Sequence, residues 1–238
     1  MKKNWKVKAT PMSNSRSDWP PMQIKAAQLP EIEILRRKCM ALAMLDALIC
    51  PEWDYRYFSF NAHWSPGEEM ASMRNGEGDD WFLLFDENDA ALKGFSHESA
   101  VVGANLAKAI QERVPQDFSS FLGEPAFSMA QATFCFWRRG YDSHWSQVNV
   151  EDVQWADEDD GSSYLLALLI APEEAYQEYA SDYFEENIPI DAIRAIFAHA
   201  PLTASLVASL NPEIEMNEAE EMALEIGYPV AVAPDIER

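Results

Sequence analysis

The sequence predicts an α+β fold: an antiparallel sheet of about five strands, with helices on one face and a helical C-terminal part. Three features predict it. An apolar stripe of helical period crosses residues 32–49, short aromatic and aliphatic runs of strand length recur between residues 55 and 170, and proline-punctuated helical segments fill residues 172–228. Strands grouped ahead of helices are the chain order of an antiparallel sheet with helices packed to one side, not of alternating βαβ units. The 238 residues can bury a sizeable core, and eight Trp, eight Tyr and twelve Phe within a hydrophobic content of 48% can fill it.

Residues 1–30 read as a flexible basic extension, because Pro11, Pro20, Pro21 and Pro30 interrupt helix and Ser13, Asn14, Ser15 and Ser17 give it the composition of a linker. Residues 31–238 read as one domain. Ile32, Leu35, Cys39, Leu42, Leu45, Leu48 and Ile49 recur at helical spacing between Pro30 and Pro51. The aromatic run 55–60 (YRYFSF) is strand-prone. Residues 81–85 (WFLLF) form a short continuous apolar run, the pattern of a strand covered on both faces. The turn 86–89 (DEND) and the return over 91–95 make residues 81–95 a hairpin. A helix fits residues 104–114, a fourth strand 133–137 (TFCFW) and a fifth 164–170 (YLLALLI). Helices then follow over 172–186, with Pro172 in the first turn, and over 190–199, 202–210 and 217–226.

The charge is uneven. The formal net charge is -22, yet residues 1–40 hold nine Lys or Arg against three acids, and residues 151–238 hold 21 acids against Arg194 and Arg238 alone. Such a field repels phosphate backbones, which disfavours nucleic acid, and it steers a basic protein partner. The same acidity also serves plain solubility, and the basic start of the chain gives it a route to self-association with the acidic tail. No apolar run approaches the ~20 residues that span a bilayer, and the Lys-bearing start lacks an apolar core for a secretory signal, so no membrane role is expected. Cys39, Cys50 and Cys135 are too scattered for a disulfide framework or a CxxC metal site. A cytoplasmic location is expected.

Standard catalytic motifs are incomplete. Gly76-Glu77-Gly78 lacks the third glycine and the strand–helix context of a dinucleotide loop, His97-Glu98 meets Val101 where HExxH needs histidine, and no GxSxG occurs. In the acidic run 157–161, aligning Gly161 with the invariant glycine of an EF-hand puts Ala156 at the first ligand position, which excludes that loop. No cofactor is predicted beyond a possible divalent metal. One constellation depends on strand order. If strands 55–60, 81–85 and 91–95 pair in that order, His63, Asp79, Asp80, His97 and Glu98 meet at one sheet edge, with Glu68, Glu69 and Arg74 on the connecting loop. Two imidazoles and several carboxylates there would ligate a divalent ion or divide acid and base roles in hydrolysis. Read structurally, the same residues cap turns and pair with Arg74.

Other side chains carry weaker expectations. Arg138 and Arg139 beside Trp137 and Tyr141 would grip a phosphate, or else pair with nearby carboxylates. His144 and His199 stand alone, and Cys39 and Cys135 fall on apolar faces. Trp53, Trp64 and Trp145 are candidate anchors for a partner, provided that they are exposed.

Residues 53–61 (WDYRYFSFN) with Trp64, residues 67–76 (GEEMASMRNG), 78–82 (GDDWF) and 93–99 (KGFSHES) resemble an uncharacterised family of bacterial proteins. The likeness extends through residues 190–228, and so covers most of the chain after residue 30. It implies a bacterial, cytoplasmic protein and carries over no catalytic residue. In acidity, size and α+β layout the chain is also similar, more loosely, to bacterial toxin-immunity proteins. The function expected from all this is protein–protein binding, in its most concrete form the neutralisation of a basic partner. The alternative is a metal-assisted hydrolase built on His63, Asp79, His97 and Glu98.

Overall fold

Helix α1 (Ile32–Ile49) is apolar almost all round over its second half, and a helix of that kind must be enclosed. In the computed structural model, which describes residues 23–99, 101, 106–148 and 159–231, Ala41 through Ile49 are all buried. The helix lies between the sheet and the C-terminal helices. Its neighbours are strand β1 (Phe58–Ser65) on one side and α7 (Ile190–Phe197), α8 (Ala204–Leu210) and α9 (Met216–Ile226) on the other.

The sheet has six strands in sequence order, every neighbouring pair antiparallel: β1, β2 (Glu68–Arg74), β3 (Asp80–Asp86), β4 (Asp89–Phe95), β5 (Phe134–Arg138) and β6 (Ser146–Gln147). The α+β class holds, with one strand more than the five expected. Two elements differ from the sequence reading. Residues 68–74, expected to be a loop, form β2 between β1 and β3. A two-residue Pro66-Gly67 turn, with Gly67 at φ 83°, folds the chain back so that Ser65 faces Glu68. EEMASMR holds no β-branched residue, so pairing on both sides, not propensity, makes it a strand.

Residues 164–170, expected to be a strand, instead span the short helices α4 (Ser162–Leu165) and α5 (Ala167–Ile170). A run of Leu and Ala favours helix, and short apolar runs do not distinguish the two by period. The carbonyl of Leu165 accepts the indole N–H of Trp81 at 3.0 Å, which seats this segment across the sheet rather than within it.

Helices were expected on one face of the sheet, but they cover both. Phe58, Phe60, Trp81, Leu83, Phe85, Leu92, Phe134 and Phe136 face the main core, with α1 and the C-terminal helices, including α6 (Glu173–Tyr183), on that side. Met70, Phe82, Leu84, Cys135 and Trp137 face a second, smaller core closed by α2 (Leu106–Arg113), α3 (Ser119–Gly123) and Phe127. Continuous apolar strands such as β3 require this double cover.

Residues 1–22 lie outside the described residues. Residues 23–30, expected to belong to a flexible extension, lie against the domain: Ile24 is buried and its N–H donates to Ser162 Oγ at 2.9 Å, while the N–H of Ala26 donates to Gln147 Oε1 at 2.6 Å. Among the described residues, no helix is long and apolar enough to cross a membrane.

Candidate functional site

The hairpin β3–β4 sets the first candidate site. Asp80 pairs with Phe95 at its open end, so Asp79 and His97, each one or two residues beyond, emerge side by side. Gly76 and Gly78 take positive φ in the preceding loop. Asn75 closes that loop by accepting the N–H groups of Glu77 and Asp79 at 2.9 and 3.0 Å, and it donates to Asp79 Oδ2 at 2.9 Å. The other oxygen, Asp79 Oδ1, accepts both the backbone N–H of His97 at 2.8 Å and its ring Nδ1 at 2.6 Å. A carboxylate in that position requires the proton on Nδ1, so Nε2 is the basic nitrogen of the neutral ring. Asp79 is buried and the His97 side chain is 41% exposed, with Nε2 3.9 Å from Glu98 Oε1.

The remaining members of the expected cluster are elsewhere. Asp80 takes the ammonium of Lys93 at 2.5 Å on the second face of the sheet, over the Phe82 ring. His63 stands near the opposite end of the sheet. From Phe58, which faces Met73 at the Asp79 end, β1 runs away for five residues, ~16 Å at strand rise, before reaching it. There it lines a cavity with Arg36, Glu68, Glu69 and Glu87. The strand order on which the five-residue cluster depended is overturned by β2. Among the described residues, no group of three or more His, Cys, Asp or Glu is arranged to hold a metal ion. Arg74 lays its guanidinium over Phe82 at 5.3 Å and reaches no carboxylate of the described residues, Glu98 included.

The three tryptophans divide. Trp145 is buried, its indole donating to Pro30 O at 2.7 Å, and Trp64 is half-buried and stacked on Phe127. Trp53 is 52% exposed on the 3₁₀ turn Trp53–Tyr55, together with Tyr55 at 45%. The phosphate grip does not form. Arg138 pairs with Glu31 at 2.6 Å and Arg139 with Asp117 at 2.7 Å, while Trp137 is buried in the second core.

Beside Trp53 lies a cavity of about 210 Å³ that the sequence reading missed. It is lined by Trp53, Asp54, Arg56, Tyr57, Ser59, Ser72, Arg74 and Gly76. Arg56 is fixed by donating its Nε to Cys50 O at 2.9 Å and an Nη to Pro51 O at 2.6 Å, and its guanidinium lies over the Trp53 ring. The sequence signal was Arg56 and Arg74 standing in a stretch otherwise rich in acids and aromatics. Their meeting depends on the β1–β2 pairing, which was not foreseen.

No protein-family model, curated protein or solved structure matches the chain.

Proposed function

We propose that the protein acts by binding a protein partner with a basic surface, centred on the exposed turn Trp53–Tyr55. The observation that carries this is where the turn sits. Tyr183 of α6 donates to the carbonyl of Tyr55 at 3.1 Å, and α9 packs against β1, which the turn leads into. α6 holds Glu173, Glu174, Glu178 and Asp182, α9 holds Glu218, Glu220, Glu221 and Glu225, and neither helix holds a cation. Two exposed aromatic rings on a turn held to an acidic helix supply an apolar anchor with a field that draws a cation-rich partner towards it. An immunity-type neutraliser of a basic toxin in the bacterial cytoplasm is the most concrete form, supported by the likeness in acidity, size and layout to such proteins.

Native mass spectra of the protein, purified gently from the cells that produce it, test the proposal. The expected result is a stoichiometric protein adduct that dissociates as salt is raised and is lost in Trp53→Ala/Tyr55→Ala. A bare chain, or an adduct indifferent to salt, overturns it, because screening must weaken steering.

Acid–base chemistry at Asp79 and His97 is the second function to consider, favoured by the 2.6 Å bond that leaves Nε2 facing outward. In its metal-assisted form it would appear in the same spectra as a bare chain holding one divalent ion, lost in His97→Ala.

A further inference from the structure

The cavity beside Trp53 is lined by two arginines, Arg56 and Arg74, against one acid, Asp54, in a strongly acidic chain. The chain's 40 acids outnumber its 18 Lys and Arg, and four other arginines meet acids, while exposed Arg37 reaches the Ala198 carbonyl at 3.4 Å. Arg36 meets Glu69 at 3.0 Å, Arg138 meets Glu31 at 2.6 Å, and Arg139 and Arg194 each meet an acid at 2.7 Å. Arg74 has no such partner among the described residues, although it is exposed, and its plane is held only by the Phe82 ring. Arg56 spends two of its five N–H donors on the carbonyls of Cys50 and Pro51, which fix it and leave three.

Between the two arginines, Ser59 and Ser72 stand opposite each other in the β1–β2 register with their hydroxyl oxygens 2.7 Å apart. One hydroxyl donates to the other, so one hydroxyl proton of the pair remains for a further acceptor. Tyr57, which also lines the cavity, is buried with its hydroxyl unpartnered. That hydroxyl is closed off from solvent, so the donors open to a ligand are those of Arg74, Arg56 and the serine pair. The ring of Trp53 at its mouth offers a flat apolar surface, one side of which already carries Arg56.

We propose that this cavity binds a small oxyanion, a carboxylate or a phosphate monoester, attached to a flat ring that stacks on Trp53. Arg74 and Arg56 take the oxyanion as charge-assisted donors, the serine pair adds a neutral one, and the aromatic surface orients the ring. At about 210 Å³ the space is below the ~300–1,000 Å³ of sites for drug-sized ligands. The ligand is therefore a single ring with its anionic group. The site shares Trp53 with the partner surface but does not depend on it, since it is assayed on the isolated chain with no partner present.

The test titrates the full chain with benzoate, phenyl phosphate and neutral benzamide, read by calorimetry and tryptophan fluorescence. At least one anion should bind saturably, with benzamide at least about tenfold weaker, which is ~1.4 kcal/mol. Whichever anion binds tighter identifies the oxyanion. Arg74→Met, an exposed change, should weaken that anion about tenfold or more with an unchanged near-UV spectrum. Arg139→Met, at a paired surface arginine, should leave it unaltered. Absence of saturation by either anion, benzamide binding as well as benzoate, or indifference to Arg74→Met would each overturn the proposal.

Discussion

Tyr176 Oη donates to Asp46 Oδ1 at 2.7 Å, joining α6 to α1 through the core. The second oxygen of the same carboxylate, Oδ2, accepts the backbone N–H groups of Tyr57 and Phe58 at 2.9 Å each. One buried side chain therefore fixes both the entry to β1, just after the Trp53–Tyr55 turn, and the helix that backs it. Burial pushes the Asp46 carboxyl up to about 6, outweighing the three hydrogen bonds and the charge of Arg56, which pull it down.

That shift gives stability a pH dependence of definite sign. Asp160, buried and accepting from Ser162 N and Oγ, is likewise raised by burial to about 6. A carboxyl whose folded value lies above its ordinary one binds protons more readily in the folded state. Its contribution is fully present below the ordinary value of 3.8 and is lost as pH rises through about 6. Each group should lower the unfolding free energy by about 1–2 kcal/mol between pH 5 and 7.5. Self-repulsion of the acidic chain adds in the same direction. His199, half-buried and held below its ordinary value by desolvation, acts in the opposite sense within this window. Glu174, held low by its hydrogen bond from Arg194, does so below it. Urea titrations at constant ionic strength should show stability falling with pH, with a shallower slope in Asp46→Asn. Stability rising over that range would contradict the assignment.

The ion pair of Lys93 and Asp80 is lopsided. The Lys93 side chain is fully buried and that of Asp80 is 23% exposed, while burial pulls the ammonium down and Asp80 holds it up. Asp80→Ala strands a buried cation and should cost about 3–5 kcal/mol. Lys93→Met leaves a carboxylate that can reach water and should cost about 1–2 kcal/mol. The double variant should be more stable than Asp80→Ala alone. Chemical denaturation of the three variants gives the order directly.

The same geometry explains how far the sequence could be read. The stripe in α1 and the apolar run of β3 were legible because each reports burial of a whole element. β2 was not, since Glu68, Glu69, Met70, Ala71 and Ser72 carry no strand signal, and this one omission moved the site. With β1 beside β3, the end of β1 would have met the start of β3. With β2 between them, β1 and β3 run the same way, so His63 lies at the end opposite Asp79. Asp79 and His97 stayed together because the hairpin that joins them was correctly drawn. Asp46 was visible in principle as the single charge in ALAMLDALIC, whereas the burial of Trp145 depends on Pro30, which is distant in sequence.

Gly94 is a packing requirement rather than a turn. It faces Phe134 across β4 and β5, and a methyl group added there would lie 1.9 Å from the Phe134 ring. The ring is buried and cannot swing away. Gly94→Ala should therefore cost about 3 kcal/mol or more by overpacking. Gly123, at the end of α3, has nothing within 4 Å of the same position and no positive φ, so Gly123→Ala should be neutral or slightly stabilising. Paired thermal melts test the contrast, and equal costs would contradict it.

Asp79 and His97 can be separated by what each leaves behind. Asp79→Ala removes the acceptor for three donors: the His97 backbone N–H, the His97 ring and the Asn75 amide. With Asp79 buried, the loss should be about 2–4 kcal/mol. His97→Ala removes only the ring bond, keeps the backbone N–H on Asp79 Oδ1, and deletes a side chain already 41% exposed. It should cost about 1 kcal/mol. A carboxylate that builds the loop and an imidazole that the loop merely presents thus predict unequal losses in urea denaturation. Equal losses would mean that the ring itself holds the two strand ends together. Inequality in the expected direction would mean that the fold does not require the exposed Nε2, and a function for His97 would then have to be sought in what it touches outside the chain.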